Sequence, residues 1–135
     1  MNTLLSRLGM GLGLVALAAC TGHGPGPQRT VSLSKQSQCP LPLVVGQHVD
    51  LKLPSLPTSG FRWKLVDAAP AVLQSLGPEV YSNPEDAGLV GGNGQSLWRF
   101  KAIAAGEAHL KLVSQQPWAP EVKPVDAFDC TLSVK

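Results

Sequence analysis

The sequence predicts an all-β sandwich, and three observations carry that reading. Apolar residues recur with a period of two from residue 30 onward, the pattern of strands that bury one face. The 14 Gly and 12 Pro punctuate the chain often enough to leave only short segments between turns. A length of 135 residues allows one domain. The formal net charge is +2, and charged side chains make up only 15% of the chain. That balance lacks the concentrated basic face of a nucleic-acid binder, so no nucleic-acid partner is expected.

The strands follow in order. Val49, Leu51 and Leu53 alternate with His48, Asp50 and Lys52, and Phe61, Trp63 and Leu65 alternate with Arg62 and Lys64. Trp98, Phe100 and Ala102 form the apolar face of a strand expected over 95–103, between Arg99 and Lys101. Ala108, Leu110 and Leu112 alternate with His109 and Lys111. Phe128, Cys130, Leu132 and Val134 alternate with Asp129, Thr131 and Ser133. Residues 69–76 are ambiguous. Pro70 and the pair Gly77-Pro78 permit at most one helical turn or a short strand there.

The domain is expected over 30–135, and the N-terminal segment stands apart from it. Arg7 is the only charged side chain before position 29, and Leu8 to Cys20 is an apolar run. It is shorter than the roughly 20 residues of a membrane span, but it fits a secretory signal. Its end, Leu17-Ala18-Ala19-Cys20, resembles the lipobox of bacterial lipoproteins. The resemblance implies a signal peptide over 1–19 and a diacylglycerol on Cys20. An ordinary signal peptide with an incidental Cys is the alternative. The diacylglycerol together with an N-acyl chain on the same Cys exceeds the two-signal threshold for stable anchoring in a membrane. Thr21 stands where an inner-membrane retention signal would have Asp, so the resemblance implies an outer-membrane anchor with the domain in the periplasm. The Gly- and Pro-rich stretch within 20–29 reads as a flexible tether.

Two cysteines remain, Cys39 and Cys130. In an oxidising compartment an even number argues for one disulfide, with two free buried thiols as the alternative. The bridge would close a loop of about 90 residues, worth roughly 4 to 5 kcal/mol on the chain-entropy account. Neither cysteine sits in a CxxC pair. His23, His48 and His109 are scattered without an i, i+4 pair, so no metal and no cofactor are expected. No nucleophile elbow is present, and an enzyme is not expected.

Three segments are left unexplained by core or turn. Leu56-Pro57-Thr58-Ser59-Gly60 connects two strands, with Pro and Gly presetting its backbone. The long connection from Ser82 ends in Gly91-Gly92-Asn93-Gly94, and connections of that length in small domains are more often functional or disordered than neutral. It is no phosphate loop, because Gln95 and a strand follow where Lys and a helix are required. Gln116-Pro117-Trp118-Ala119-Pro120 places a Trp between two prolines at a strand end, where it cannot alternate into a sheet.

In these three segments, in this order, the sequence resembles the chagasin-type inhibitors of papain-like cysteine proteases, whose loop motifs are NPTTG, GxGG and RPW. Pro57, Thr58 and Gly60 match the first motif, with Leu at 56 and Ser at 59 in place of Asn and Thr. Gly91-Gly92-Asn93-Gly94 is similar to the second, with Asn at the third position. Gln116-Pro117-Trp118 is similar to the third with its Arg replaced. The resemblance covers residues 40–135 and implies an immunoglobulin-like β-sandwich with three functional loops at one end. It further implies a reversible, non-catalytic inhibitor that is a monomer and has a papain-like cysteine protease as its partner. A periplasmic adhesion or carbohydrate-binding module, stacking sugars on Trp118 and Trp63, is the alternative. Trp63 fits core alternation better than surface.

Overall fold

A computed structural model describes Gly13 and residues 29–83 and 94–135. Cys20, the tether up to position 28, and Gly91, Gly92 and Asn93 of the second loop lie outside the described residues. The strands are β1 (Val31–Leu33), β2 (Leu41–Leu43), β3 (His48–Ser55), β4 (Arg62–Ala68) and β5 (Leu73–Ser75), then β6 (Val80–Ser82), β7 (Gly94–Ala102), β8 (Gly106–Gln115) and β9 (Asp126–Val134). They form two sheets. One has the order β1-β3-β7-β5, with β6 also on β7, and the other has the order β2-β9-β8-β4. The domain is an all-β sandwich.

The period-two pattern decides which face of each strand turns inward. Val49, Leu51 and Leu53 of β3 meet Trp98, Phe100 and Ala102 of β7 from one sheet, against Leu110 and Leu112 of β8 and Phe128, Cys130, Leu132 and Val134 of β9 from the other. All of these are buried. Residues 69–76 resolve as a turn leading into a short strand: the Ala69 carbonyl accepts from the N–H of Val72 at 3.0 Å and of Leu73 at 2.8 Å, and Val72 and Leu73 fill the core. The strand expected over 95–103 runs one residue earlier, because Gly94 already pairs with Ser55.

β4 lies at a sheet edge and is less deeply packed than its sequence pattern implies. Phe61 precedes it, and Trp63 and Leu65 are half-buried against the core. The register shifts between Leu65 and Asp67, which leaves Val66 exposed. Such a bulge interrupts an edge that would otherwise offer a regular row of pairing groups.

The N-terminal strands tie the two sheets together. β1 runs parallel to β3, and β2 runs parallel to β9 with Leu41 opposite Leu132. That register sets Cys39 beside Cys130, two residues before Leu41 and Leu132 respectively, and a disulfide joins them with Cα atoms 5.3 Å apart. Gln36 adds a second clasp on β9. Its side-chain amide donates to the carbonyl of Asp129, and its oxygen accepts from the Asp129 N–H at 3.0 Å.

Because the bridge spans 91 residues, the double variant Cys39→Ala/Cys130→Ala is expected to lose about 2 to 5 kcal/mol of unfolding free energy. Urea titration followed by tryptophan fluorescence measures the loss, and the same titration under reducing conditions should bring the parent chain to the variant's midpoint.

Candidate functional site: three loop bases at one pole

Strand pairing gathers the three segments. β3 ends at Ser55 opposite Gly94, the first residue of β7. β4 leaves the first loop at Arg62, opposite Gln115, the last residue of β8. β9 begins at the same level, with Asp126 opposite Ser114, and Ser82 pairs with Gln95 where the second loop departs and returns. The bases of all three loops therefore share one end of the sandwich. The chain enters at the other end, where Val31 pairs with Val49 and the Gln47 amide donates to the Arg29 carbonyl at 3.3 Å.

The first loop is closed on itself. Pro57–Ser59 form one 3-10 turn, with the Ser59 N–H donating to Leu56 and the Gly60 N–H to Pro57, both at 3.0 Å. The Ser59 hydroxyl donates to the Leu56 carbonyl at 2.6 Å and accepts from the Phe61 N–H at 3.3 Å. Gly60 ends the turn at φ 86°, ψ −12°, left-handed backbone that favours glycine. Arg62 reaches back, its Nη1 donating to the carbonyls of Pro57 at 2.6 Å and Phe61 at 3.0 Å. Beneath it, the Trp63 indole N–H donates to the Pro54 carbonyl at 2.8 Å, clasping together the two strands that flank the loop. Leu56, Thr58 and Ser59 remain exposed at the tip.

The third loop leans on the first. Turns closed by Ala119 N–H to Gln116 (3.0 Å) and Val122 N–H to Ala119 (3.1 Å) fold it compactly. Trp118 is 68% exposed, yet its ring lies against Gly60, where an added Cβ would come within 2.5 Å of Trp118 Cη2. The indole is thus outside the core and rests on the glycine of the neighbouring loop. Beside this contact is a cleft of about 340 Å³ lined by Arg62, Trp63, Lys64, Gln115, Pro117 and Pro120.

Gly94 is placed differently from a loop tip. It is buried in β7, and an added Cβ would overlap the Tyr81 hydroxyl and the Ser82 carbonyl. Its lack of a side chain serves packing. Arg62 is the site residue that sequence reasoning missed. In the sequence it is only a polar position in an alternating strand, and nothing there signals that its guanidinium locks the loop preceding it. Among the described residues no group of three His, Cys, Asp or Glu side chains is placed to hold a metal.

The protein family described as Chagasin family peptidase inhibitor matches residues 43–132. No curated protein matches the chain. Among solved structures, a cysteine protease inhibitor from Entamoeba histolytica superposes with a TM-score of 0.67 at 17% identity, over 82% of this chain and 100% of that one. Amebosin gives a TM-score of 0.60 at 22% identity, with the same 82% and 100% coverage. PbICP-C, solved in complex with falcipain-2, gives 0.50 at 12% identity, over 80% and 91% of the two chains. These likenesses show a shared fold.

Gly60→Ala puts a side chain both into a left-handed backbone position and into the Trp118 ring. The variant is expected to lose about 1 to 2 kcal/mol of stability from the backbone alone. A red-shifted tryptophan emission should accompany the loss as the displaced indole meets more water.

Proposed function

The chain belongs to the chagasin family of peptidase inhibitors, and from that membership we propose that it is a reversible, non-catalytic inhibitor that plugs the active-site cleft of papain-like cysteine proteases with its three loops. The observation that carries the reading is the exposed Trp118 seated on Gly60, which makes the first and third loops one convex, stiff unit. A cleft enzyme is blocked by such a wedge. The internal hydrogen bonds of the first loop remove ordering cost that would otherwise subtract from affinity.

Thr58 and Ser59 face the catalytic Cys in this reading, and Leu56, Pro57 and Gly60 shape the approach. Proteases hold substrates extended, with one peptide bond in line for attack. The turn over Pro57–Ser59 presents curled backbone instead, so the thiolate meets no aligned carbonyl. Gly91, Gly92 and Asn93 pair with the enzyme by strand addition, while Gly94 anchors that loop through its ladder with Ser55. Gln116 and Pro117 position Trp118, whose ring packs on an apolar wall of the cleft. One chain carries all three loops, so a monomer suffices.

Cys20, diacylated, holds the protein at the outer membrane in the periplasm, with the tether over 20–29 as spacer. The geometry suits that arrangement. The chain enters the sandwich at the pole opposite the loops, so an anchored molecule presents its wedge away from the lipid. No observation favours the carbohydrate-binding alternative, since Trp63 packs against the core and its N–H is taken by Pro54.

The full chain, purified in detergent micelles, is expected to inhibit papain or cathepsin L. Absence of inhibition at micromolar concentration against several such enzymes would remove the reading. Trp118→Ala should cost roughly 2 to 4 kcal/mol of binding, well over tenfold in the inhibition constant. Its melting temperature should stay within a few degrees of the parent, because so exposed a ring contributes little to the core.

A further inference from the structure

We infer that Arg62 and Lys64 form a carboxylate-binding subsite beside the loops, which takes an Asp or Glu side chain from the rim of the bound protease. The inference rests on the inhibitor reading above and adds a chemical preference to it. The cleft lined by Arg62, Trp63, Lys64, Gln115, Pro117 and Pro120 holds two cations and no acid. The side-chain ion pairs of the described residues are Arg99 with Asp50 and His109 with Asp129, so both cleft cations lack an acidic partner there.

The donors of Arg62 are already sorted. A guanidinium has five N–H groups in a fixed fork. Both hydrogens of Nη1 are engaged by the carbonyls of Pro57 and Phe61. Nε and Nη2, the pair that grips a carboxylate side-on with two parallel hydrogen bonds, have no partner among the described residues. Anchoring by two backbone carbonyls has also removed much of the side chain's rotamer freedom in advance, so the bidentate contact forms at low entropic cost.

Lys64 lies two residues along the strand, hence on the same face, and adds a mobile charge. Pro117 and Pro120 supply apolar walls, which lower the local dielectric and strengthen a charge pair. Place matters as well. Arg62 pairs with Gln115 at the foot of the first and third loops, and Pro117 adjoins Trp118. An enzyme that covers Trp118 brings its rim over this cleft. An acidic rim is drawn in and held, and a basic rim is repelled, so the subsite selects among cysteine proteases by charge.

The test uses the full chain against whichever of papain and cathepsin L the parent inhibits more tightly. Arg62→Lys keeps the charge but loses both the fork and the contacts to Pro57 and Phe61. It is expected to raise the inhibition constant about tenfold, and that rise counts for the subsite only alongside the Lys64→Glu effect. Lys64→Glu makes no loop hydrogen bond to lose. It should slow association about fivefold or more at about 0.05 M NaCl, and the deficit should vanish at about 0.5 M, where the screening length is about threefold shorter. If Arg62→Lys lowers the melting temperature by more than a few degrees, Lys64→Glu alone decides. Inhibition constants and association rates of both variants within about twofold of the parent at either salt concentration, with Trp118→Ala still impaired, would overturn the subsite and leave the inhibitor reading standing. A parent chain that inhibits neither enzyme would remove both.

Discussion

Antiparallel pairing of β3 with β7 and of β4 with β8 fixes where the loops emerge, because each pairing sets two chain reversals side by side at the same level. Ser55 is opposite Gly94 and Arg62 is opposite Gln115. A shift of one residue in either ladder would turn every side chain of the shifted strand to the other face. It would drive Leu110 and Leu112, or Trp98 and Phe100, out of a core in which they are buried. Each such residue is worth about 1.5 to 3 kcal/mol of transfer free energy, and two or three moving together rival the whole stability of a small domain. The core therefore positions the loops without touching them.

Position alone does not make a loop stiff. The first loop has no buried residue, so its order comes from hydrogen bonds that return within a few residues and from Arg62 behind it. An exposed hydrogen bond contributes on the order of 1 kcal/mol or less. Several around one turn select a conformation even though each is individually weak. Trp118 uses a different device. A large ring that is mostly in solvent has little hydrophobic reason to stay in one place, yet contact with the bare backbone at Gly60 gives it one resting position. Exposure and fixity, usually opposed, coexist at that contact.

Much of this was legible before any coordinates. Period-two alternation gave the faces of β3, β7, β8 and β9, since a half-buried strand writes its orientation into alternate residues. The Pro, Gly and Trp of the loop segments stood out because neither core nor sheet explains them. β6 was not legible: its residues are exposed or half-buried, so Val80 to Ser82 carry no alternation to read. The bulge at Val66 was hidden for a related reason, because an edge strand is not obliged to keep its pattern. The contact between Gly60 and Trp118 depends on segments more than fifty positions apart meeting in space, which no local pattern encodes. The role of Arg62 depends on its guanidinium folding back onto carbonyls one and five residues earlier, which strand alternation does not signal. Gly94 looked like a loop residue because glycine required by close packing and glycine required by a turn are the same letter.

That distinction between glycines bears on how such a surface can change. Leu56, Thr58 and Pro117 are exposed to solvent, so the core imposes little demand on their side chains. Gly60 and Gly94 each have neighbours that leave no room for a Cβ, whatever the partner requires. Departures from a family's loop motif at tip positions thus come at almost no structural cost. Departures at the glycines would unseat Trp118 or part β6 from β7. The motif mixes two kinds of constraint: Leu at 56 is free to differ because it belongs to the first kind, whereas the retained Gly60 belongs to the second.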